Sequence, residues 1–382
     1  MPNSSNERLE QRLLKIISGE VQGRRAALIC GLLSALSWIF YVLVQFRLLL
    51  FKHRILRAST LGCQVISVGN VTVGGTGKTP IVETFARSLE SKGRKVAILS
   101  RGYKSRKTPL WEKILKKEER LPRVVSDGES LLLNSDMAGD EPYMLASNLP
   151  EVAVLVDKDR VKSGKYAIRK LGCDTLVLDD GFQYLGLQHR MDIVLVDYTN
   201  PFGYGRVLPR GLLREPMRNL KRAGFIFITK CPPEGAPELK AKLRELNPHA
   251  EISECRHSTK YLENLYTRER VELRFLKGRK VSAVSGIAVP EGFENGLRGL
   301  GAELVHSAQY ADHHRYTQQE IIETINHAVE AGAEMIITTE KDAVRFPRID
   351  RCDLPVLFLR VEIEMLSGAD AFNDWIDRIC FK

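Results

Sequence analysis

The chain has 382 residues, an ordinary globular composition and a formal net charge of +10. That length exceeds one typical domain and suggests two, while the charge points to an anionic partner: nucleic acid, a membrane surface or a phosphorylated substrate. The seven cysteines (Cys30, Cys63, Cys173, Cys231, Cys255, Cys352, Cys380) form no Cys-x-x-Cys pair, which argues against a disulfide framework or a zinc site and fits a reducing compartment.

Residues 1–25 are polar, with Leu9, Leu13, Leu14, Ile16 and Ile17 at helical spacing, a pattern that predicts a short amphipathic helix. From Ala26 to Val44 there is no charge, and the apolar run continues to Phe51 with only Arg47 intervening. It reaches the about 20 residues of a bilayer span. Arg24 and Arg25 precede it, and Lys52, His53, Arg54 and Arg57 follow, flanks suited to anionic headgroups. Trp38, Phe40 and Tyr41 lie inside the run, where they mark a headgroup belt only if the helix is shallow or re-entrant. A buried core helix is the alternative, and a cleaved signal peptide is disfavoured by the late start. Residues 26–52 are therefore expected to form a membrane-associated helix.

The next stretch organises the chain. Val65-Ile66-Ser67-Val68 is an apolar strand, Gly69 to Gly77 a glycine-rich turn, and Ile81, Phe85, Ala86 and Leu89 follow at helical spacing. This strand, loop and helix order is the context of a phosphate-binding loop. Thr72, Val73, Gly74, Gly75, Thr76, Gly77, Lys78 and Thr79 are the expected nucleotide-binding residues. The glycines let backbone N–H groups curl round phosphate oxygens, Lys78 reaches the β/γ-phosphates and the Thr79 hydroxyl ligates Mg²⁺. Thr72 stands where the common pattern has glycine.

Strand and helix then alternate: 95–100, 152–156, 160–171, 175–181, 190–197 and 225–230. This order predicts an α/β fold with a mostly parallel sheet covered on both faces. The basic segment 104–123 reads as a surface insertion. Asp140 precedes a Pro near a helix start and is either an N-cap or a functional carboxylate. Asp179 and Asp180 end a buried strand, where ligands of such sheets bind, and are either Mg²⁺ ligands opposite Thr79 or solvated turn carboxylates. The loop 203–216 carries Arg206, Arg210, Arg214 and Glu215 and suits bidentate grips on phosphate or simple solvation.

A second, smaller α/β unit follows, with strands at 281–284, 303–305, 335–339 and 354–361 and helices at 291–300, 318–331 and 369–379. Between its second strand and second helix lie Asp312, His313 and His314. Adjacent histidines point apart, so one beside Asp312 suits acid/base work better than a metal site, with a solvated loop histidine as the ordinary case. The organisation expected is 1–25 amphipathic segment, 26–52 membrane helix, 53–265 phosphate-loop domain and 266–382 smaller domain with a closing helix.

Ser67-Val68-Gly69-Asn70 through Thr79-Pro80, Ser100-Arg101-Gly102-Tyr103, Gly139-Asp140-Glu141-Pro142, Leu178-Asp179-Asp180-Gly181-Phe182-Gln183, Leu213-Arg214-Glu215-Pro216, Asp312-His313-His314 and Thr339-Glu340-Lys341-Asp342-Ala343-Val344 together resemble the tetraacyldisaccharide 4′-kinases. The motifs are ordered and span the chain. The resemblance implies ATP- and Mg²⁺-dependent phosphorylation of the 4′-hydroxyl of a lipid A precursor, a tetraacyldisaccharide 1-phosphate. It places the enzyme at the cytoplasmic face of the inner membrane, with a cleft that closes over both substrates. It implies Asp140 as base with His313 acting beside it, Asp179 and Asp180 with Thr79 at the metal, and Arg101, Arg214 and Glu215 at the substrate.

A dimeric phosphate-loop nucleotide switch at the membrane is the competing reading. Such switches carry Lys where this chain has Val73. A nucleic-acid binder is not expected, because no interleaved aromatic and basic module is present. Oligomeric state is left open by the sequence.

Overall fold

The computed structural model describes residues 5–102, 121–349 and 353–380, with side chains described from residue 12. The expected insertion at 104–123 lies outside the described residues except for 121–123. The chain opens with α1 (Ser5–Ser18) and α2 (Arg24–Lys52). Next come β1 (Gln64–Asn70), α3 (Lys78–Glu90), β2 (Val96–Ser100), β3 (Arg123–Asp127), α4 (Ser135–Ala138) and α5 (Asp140–Asn148). The larger unit continues through β4 (Ala153–Val156), α6 (Arg160–Leu171), β5 (Thr175–Asp179), β6 (Met191–Asp197), β7 (Phe225–Thr229) and α7 (Pro237–Leu246). Then follow β8 (Glu251–Asn264), β9 (Arg270–Glu272), β10 (Lys280–Ser285), α8 (Pro290–Gly299), β11 (Glu303–Gln309) and α9 (Gln318–Glu330). The chain closes with β12 (Met335–Thr339), α10 (Glu340–Ala343), β13 (Val356–Ser367) and α11 (Ala369–Cys380).

The fold is α/β, as the alternation predicts. The strands join in one sheet in the order β11-β10-β12-β13-β8-β7-β6-β1-β5-β2-β4-β3, with β9 paired to β8. Neighbours from β8 to β4 are parallel, as are those from β11 to β13. The two parallel sets meet at one long antiparallel pair, β8 against β13. β1, β2, β4, β5 and β7 are buried almost throughout because helices cover both faces, which is why they read as continuous apolar runs rather than alternating ones.

β8 escaped the sequence reading, and its composition explains why. Beyond Cys255 it runs Arg256, His257, Ser258, Thr259, Lys260, a polar ribbon between the units with no apolar face to produce a period of two. The closing helix also differs from expectation. α11 packs on the larger unit, where Phe372 and Trp375 join Phe85, Phe225 and Phe227 in one aromatic cluster. Its amphipathic pattern specified a buried face but not which unit would cover it.

Candidate active site between the facing strand ends

The C-terminal ends of both parallel sets face one cleft, the position where open α/β sheets bind ligands. From the larger unit come the phosphate loop after β1, Arg101 after β2, the Asp179-Asp180 pair after β5 and Lys230 after β7. Gly286, His313 and 340–345 follow β10, β11 and β12.

Gly74 (φ 116°) and Gly77 (φ 78°) take the left-handed backbone that the turn requires, and Gly77 hands the chain to α3. The loop is braced from several sides. Asn70 Nδ2 donates to Thr72 O (2.7 Å) and Thr76 Oγ1 (3.1 Å), and Thr229 Oγ1 donates to Thr76 O (2.9 Å). Lys230 Nζ donates to Gly75 O (2.8 Å) and pairs with Asp197. Val73 N donates to Leu212 O (2.8 Å), and Arg214 N to Val71 O (2.7 Å), stitching the arginine-rich loop to the phosphate loop. His257 of β8 stands against Gly77, where an added Cβ would lie 2.6 Å from its Nε2. Asn70, Lys230 and His257 were missed as site residues: Asn70 ends β1 inside the motif but its amide gives no sign of bracing the loop, while Lys230 and His257 lie far along the chain and only the sheet order brings β7 and β8 beside it.

Lys78 lies 3.5 Å from both Asn70 Oδ1 and Asp180 Oδ1, and Arg214 NH1 lies 2.8 Å from both Asp180 oxygens. Burial pushes the Asp180 carboxyl up, but the Lys78 and Arg214 charges outweigh it and hold it below its ordinary value. Asp179 sits opposite Val68 in the β1–β5 register and accepts from Ser100 Oγ at 2.9 Å. Its carboxyl is pushed up to about 6 by burial and by the neighbouring Glu141 and Asp180 charges.

Among the described residues no group of three or more His, Cys, Asp or Glu side chains converges as a metal site. Thr79, Asp179 and Asp180 nevertheless carry hard oxygen donors only, and a cation would offset the Glu141 and Asp180 charges that add to burial in raising Asp179. This matches Mg²⁺, which takes one or two carboxylates from the protein and the rest of its shell from phosphates and water.

Also in the larger unit, Asp140 occupies the first position of α5, with Gly139 rather than Asp140 at the N-cap. Its carboxylate is therefore free for longer contacts. His313 Nδ1 lies 3.0 Å from Oδ2, Arg345 Nε donates to Oδ2 (2.9 Å) and Arg315 NH2 donates to Oδ1 (2.8 Å). Burial pushes the Asp140 carboxyl up, but the His313 hydrogen bond and the Arg345 and Arg315 charges hold it below its ordinary value. His313 itself has φ 65°, and its N–H bonds Gly286 O at 3.1 Å. His314 points away, to Glu320.

Arg101 is exposed at the end of β2, whereas Glu215, expected at the substrate, is buried beneath its loop. Its carboxylate accepts from Arg222 (2.8 Å) and Asn219 (2.8 Å), so it shapes the loop from behind. Arg210 likewise turns away from the cleft and donates to Ile17 O. Arg315 and Arg345 were not picked out from the sequence, although the first adjoins Asp312-His313-His314 and the second closes the 339–344 motif. A further buried group lies behind the cleft, where Arg360 of β13 pairs with Glu83 of α3 and with Glu340. Asn148, the last residue of α5, donates to both carboxylates.

The family model for the Tetraacyldisaccharide-1-P 4′-kinases matches residues 29–380. A tetraacyldisaccharide 4′-kinase of Anaeromyxobacter dehalogenans is 40% identical over 333 residues, covering 85% of this chain and 84% of that one. Another, of Geobacter sulfurreducens, is 37% identical over 357 residues, covering 93% and 95%. The crystal structure of the "apo" form of LpxK from Aquifex aeolicus in complex with ATP is similar to this fold with a TM-score of 0.73 at 28% identity, covering 92% of this chain and 100% of that one.

Proposed function

The chain belongs to the tetraacyldisaccharide-1-P 4′-kinase family, and on that premise we propose that it transfers the γ-phosphoryl group of ATP to the 4′-hydroxyl of a tetraacyldisaccharide 1-phosphate. The observation that carries the reading is the meeting of Asp140 and His313, 3.0 Å apart, over a cleft that also holds a phosphate loop. Lys78 and the loop N–H groups bind the phosphates. Thr79, Asp179 and Asp180 would hold Mg²⁺, which when bound would supply neutralising charge for the transferring group. Asp140 accepts the sugar hydroxyl proton as that oxygen bonds to the γ-phosphorus and ADP leaves, since such a hydroxyl ionises too weakly alone. His313 orients the carboxylate. Arg101 and Arg214 serve the phosphorylated substrate, Arg214 by exchanging Asp180 for a phosphate oxygen. The direct test is transfer of labelled γ-phosphate to the detergent-dispersed lipid. Labelled product from the native chain supports the reading, and none from a folded, ATP-binding protein overturns it.

The same reading puts the enzyme on the inner membrane through α2, lying in the plane of one leaflet. α2 is the one helix among the described residues long and apolar enough to cross a bilayer. One face is bound to the body: Ser37 Oγ donates to Val207 O (2.8 Å), Arg210 N donates to Ser37 Oγ (2.9 Å), and Phe40 and Tyr41 pack on the core. The opposite face exposes Leu28, Leu32, Ile39, Leu43 and Phe46. A helix held along its side by a water-soluble body cannot also stand upright in lipid. In vesicles, Gln22→Cys and His53→Cys are therefore both expected to react with an impermeant maleimide added from outside. Protection of one end alone would mean that the helix spans.

A further inference from the structure

We propose that Arg345 is a positioning residue for phosphoryl transfer, fixing Asp140 and His313 in one geometry across the cleft; the inference rests on the reading of Asp140 as the base. Arg345 is almost wholly enclosed, its side chain 1% exposed. Half of the guanidinium is anchored within the smaller unit, where NH1 donates to Asp342 Oδ1 (3.1 Å) and Gly286 O (3.2 Å). The anchor is itself fixed: Asp342 is fully buried and accepts from Gly286 N (3.1 Å), Tyr316 OH (3.0 Å) and Thr339 Oγ1 (2.6 Å). The other half faces the reacting groups, with Nε 2.9 Å from Asp140 Oδ2 and NH2 3.2 Å from His313 Nδ1. Because the fork is planar and rigid, fixing one half fixes the other.

The chemistry of the donors sharpens the role. A guanidinium only donates, so NH2 can bond Nδ1 of His313 only when that nitrogen carries no proton. Asp140 Oδ2, 3.0 Å from the same nitrogen, is bonded only when it does. Arg345 thus competes with Asp140 for one ring atom, and the outcome decides which nitrogen of His313 carries the proton. Arg315 does not duplicate this function, since it holds the other carboxylate oxygen, is 39% exposed and also pairs with Asp136. The remaining charges around the pair are Asp312, 3.9 Å from His313 Nε2, and Glu141, paired with Lys341 at 3.8 Å.

The test uses the full-length enzyme with ATP and lipid acceptor, and compares Arg345→Met, Arg345→Lys and Asp140→Asn. Arg345→Met is expected to lower kcat about a hundredfold, the usual effect of misplacing a reacting group by about 1 Å, with KM for ATP unchanged. The acid limb of kcat/KM should move to higher pH, because a carboxylate deprived of a guanidinium takes up a proton more readily. Arg345→Lys should restore part of the rate and move the limb back. Native kcat in Arg345→Met, or an equal loss at every pH with no movement of the limb, overturns the proposal. Should the Met variant not fold, Arg345→Met/Asp342→Asn removes both buried charges and carries the same readout. Asp140→Asn separates the two levels of inference. Inactive Asp140→Asn beside a native Arg345→Met fells only the role of Arg345, whereas an active Asp140→Asn fells the base assignment beneath it.

Discussion

Asp140→Asn is expected to lower kcat for phosphorylation of the lipid disaccharide by about 10²- to 10⁴-fold, the range general-base catalysis contributes. Nucleotide affinity should stay native, because the phosphate loop draws its contacts from Asn70, Thr229 and Lys230 rather than from α5. The substitution keeps shape and removes the proton acceptor. It also turns an amide N–H₂ toward donors from His313, Arg345 or Arg315, a mismatch that costs about 1–3 kcal/mol of stability. A melting curve separates that loss from the catalytic one.

The pH dependence follows from the same contacts. Asp140 is held below its ordinary value of 3.8, so the ion pairs contribute stability that is fully present above that value and lost as pH falls through the lower folded value. The acid limb that Asp140 sets should accordingly lie below 3.8 in the native enzyme and rise when a guanidinium is removed. Rates that match wild type in Asp140→Asn would remove the base assignment.

The second large effect is expected at Arg360→Met. Arg360, Glu83 and Glu340 are 5%, 8% and 12% exposed at their side chains. Burial raises the Glu340 carboxyl and Glu83 raises it further, while Arg360 opposes both. Deleting the guanidinium strands two carboxylates in a low-dielectric pocket, at a cost of about 3–5 kcal/mol. A typical domain has only about 5–15 kcal/mol in total. The triple variant Arg360→Met/Glu83→Gln/Glu340→Gln should recover most of the loss, since replacing a whole buried ion group is often nearly neutral. Activity should not recover with it, because Asn148 would no longer tie the end of α5 to α3 and to the smaller unit through two charged partners. Denaturant titration of the three proteins decides the point: a native midpoint for Arg360→Met would mean that the cluster is solvated and contributes nothing.

Much of the larger unit was legible because parallel strands buried on both faces announce themselves as apolar runs, and because Gly77-Lys78-Thr79 after such a run has few other uses. Asp140 was visible only as a carboxylate at a helix start, and Asp179 and Asp180 only as a strand end. The contacts that give them meaning are distant in the chain: His313 is 173 residues from Asp140, and Arg345 is 205. No local period encodes such a meeting. Arg360 was hidden for a related reason, since a charged residue inside a strand run reads as solvated until its two partners close over it. Glu215 erred in the other direction: the resemblance implied it at the substrate beside Arg214, yet adjacent residues of an irregular loop turn to opposite sides and its carboxylate is buried on Arg222 and Asn219.

The docking of α11 beneath the larger unit fixes an order of assembly. Phe85, Phe225 and Phe227 belong to strands and helices translated early, but the aromatic faces they present are completed only by Phe372 and Trp375. During synthesis the smaller unit, including the whole of β10 to β12, leaves the ribosome before the larger unit can seal its own interior. The usual N-terminal-first sequence of folding is therefore inverted for that core, and the last dozen described residues are the ones that finish the first half of the molecule.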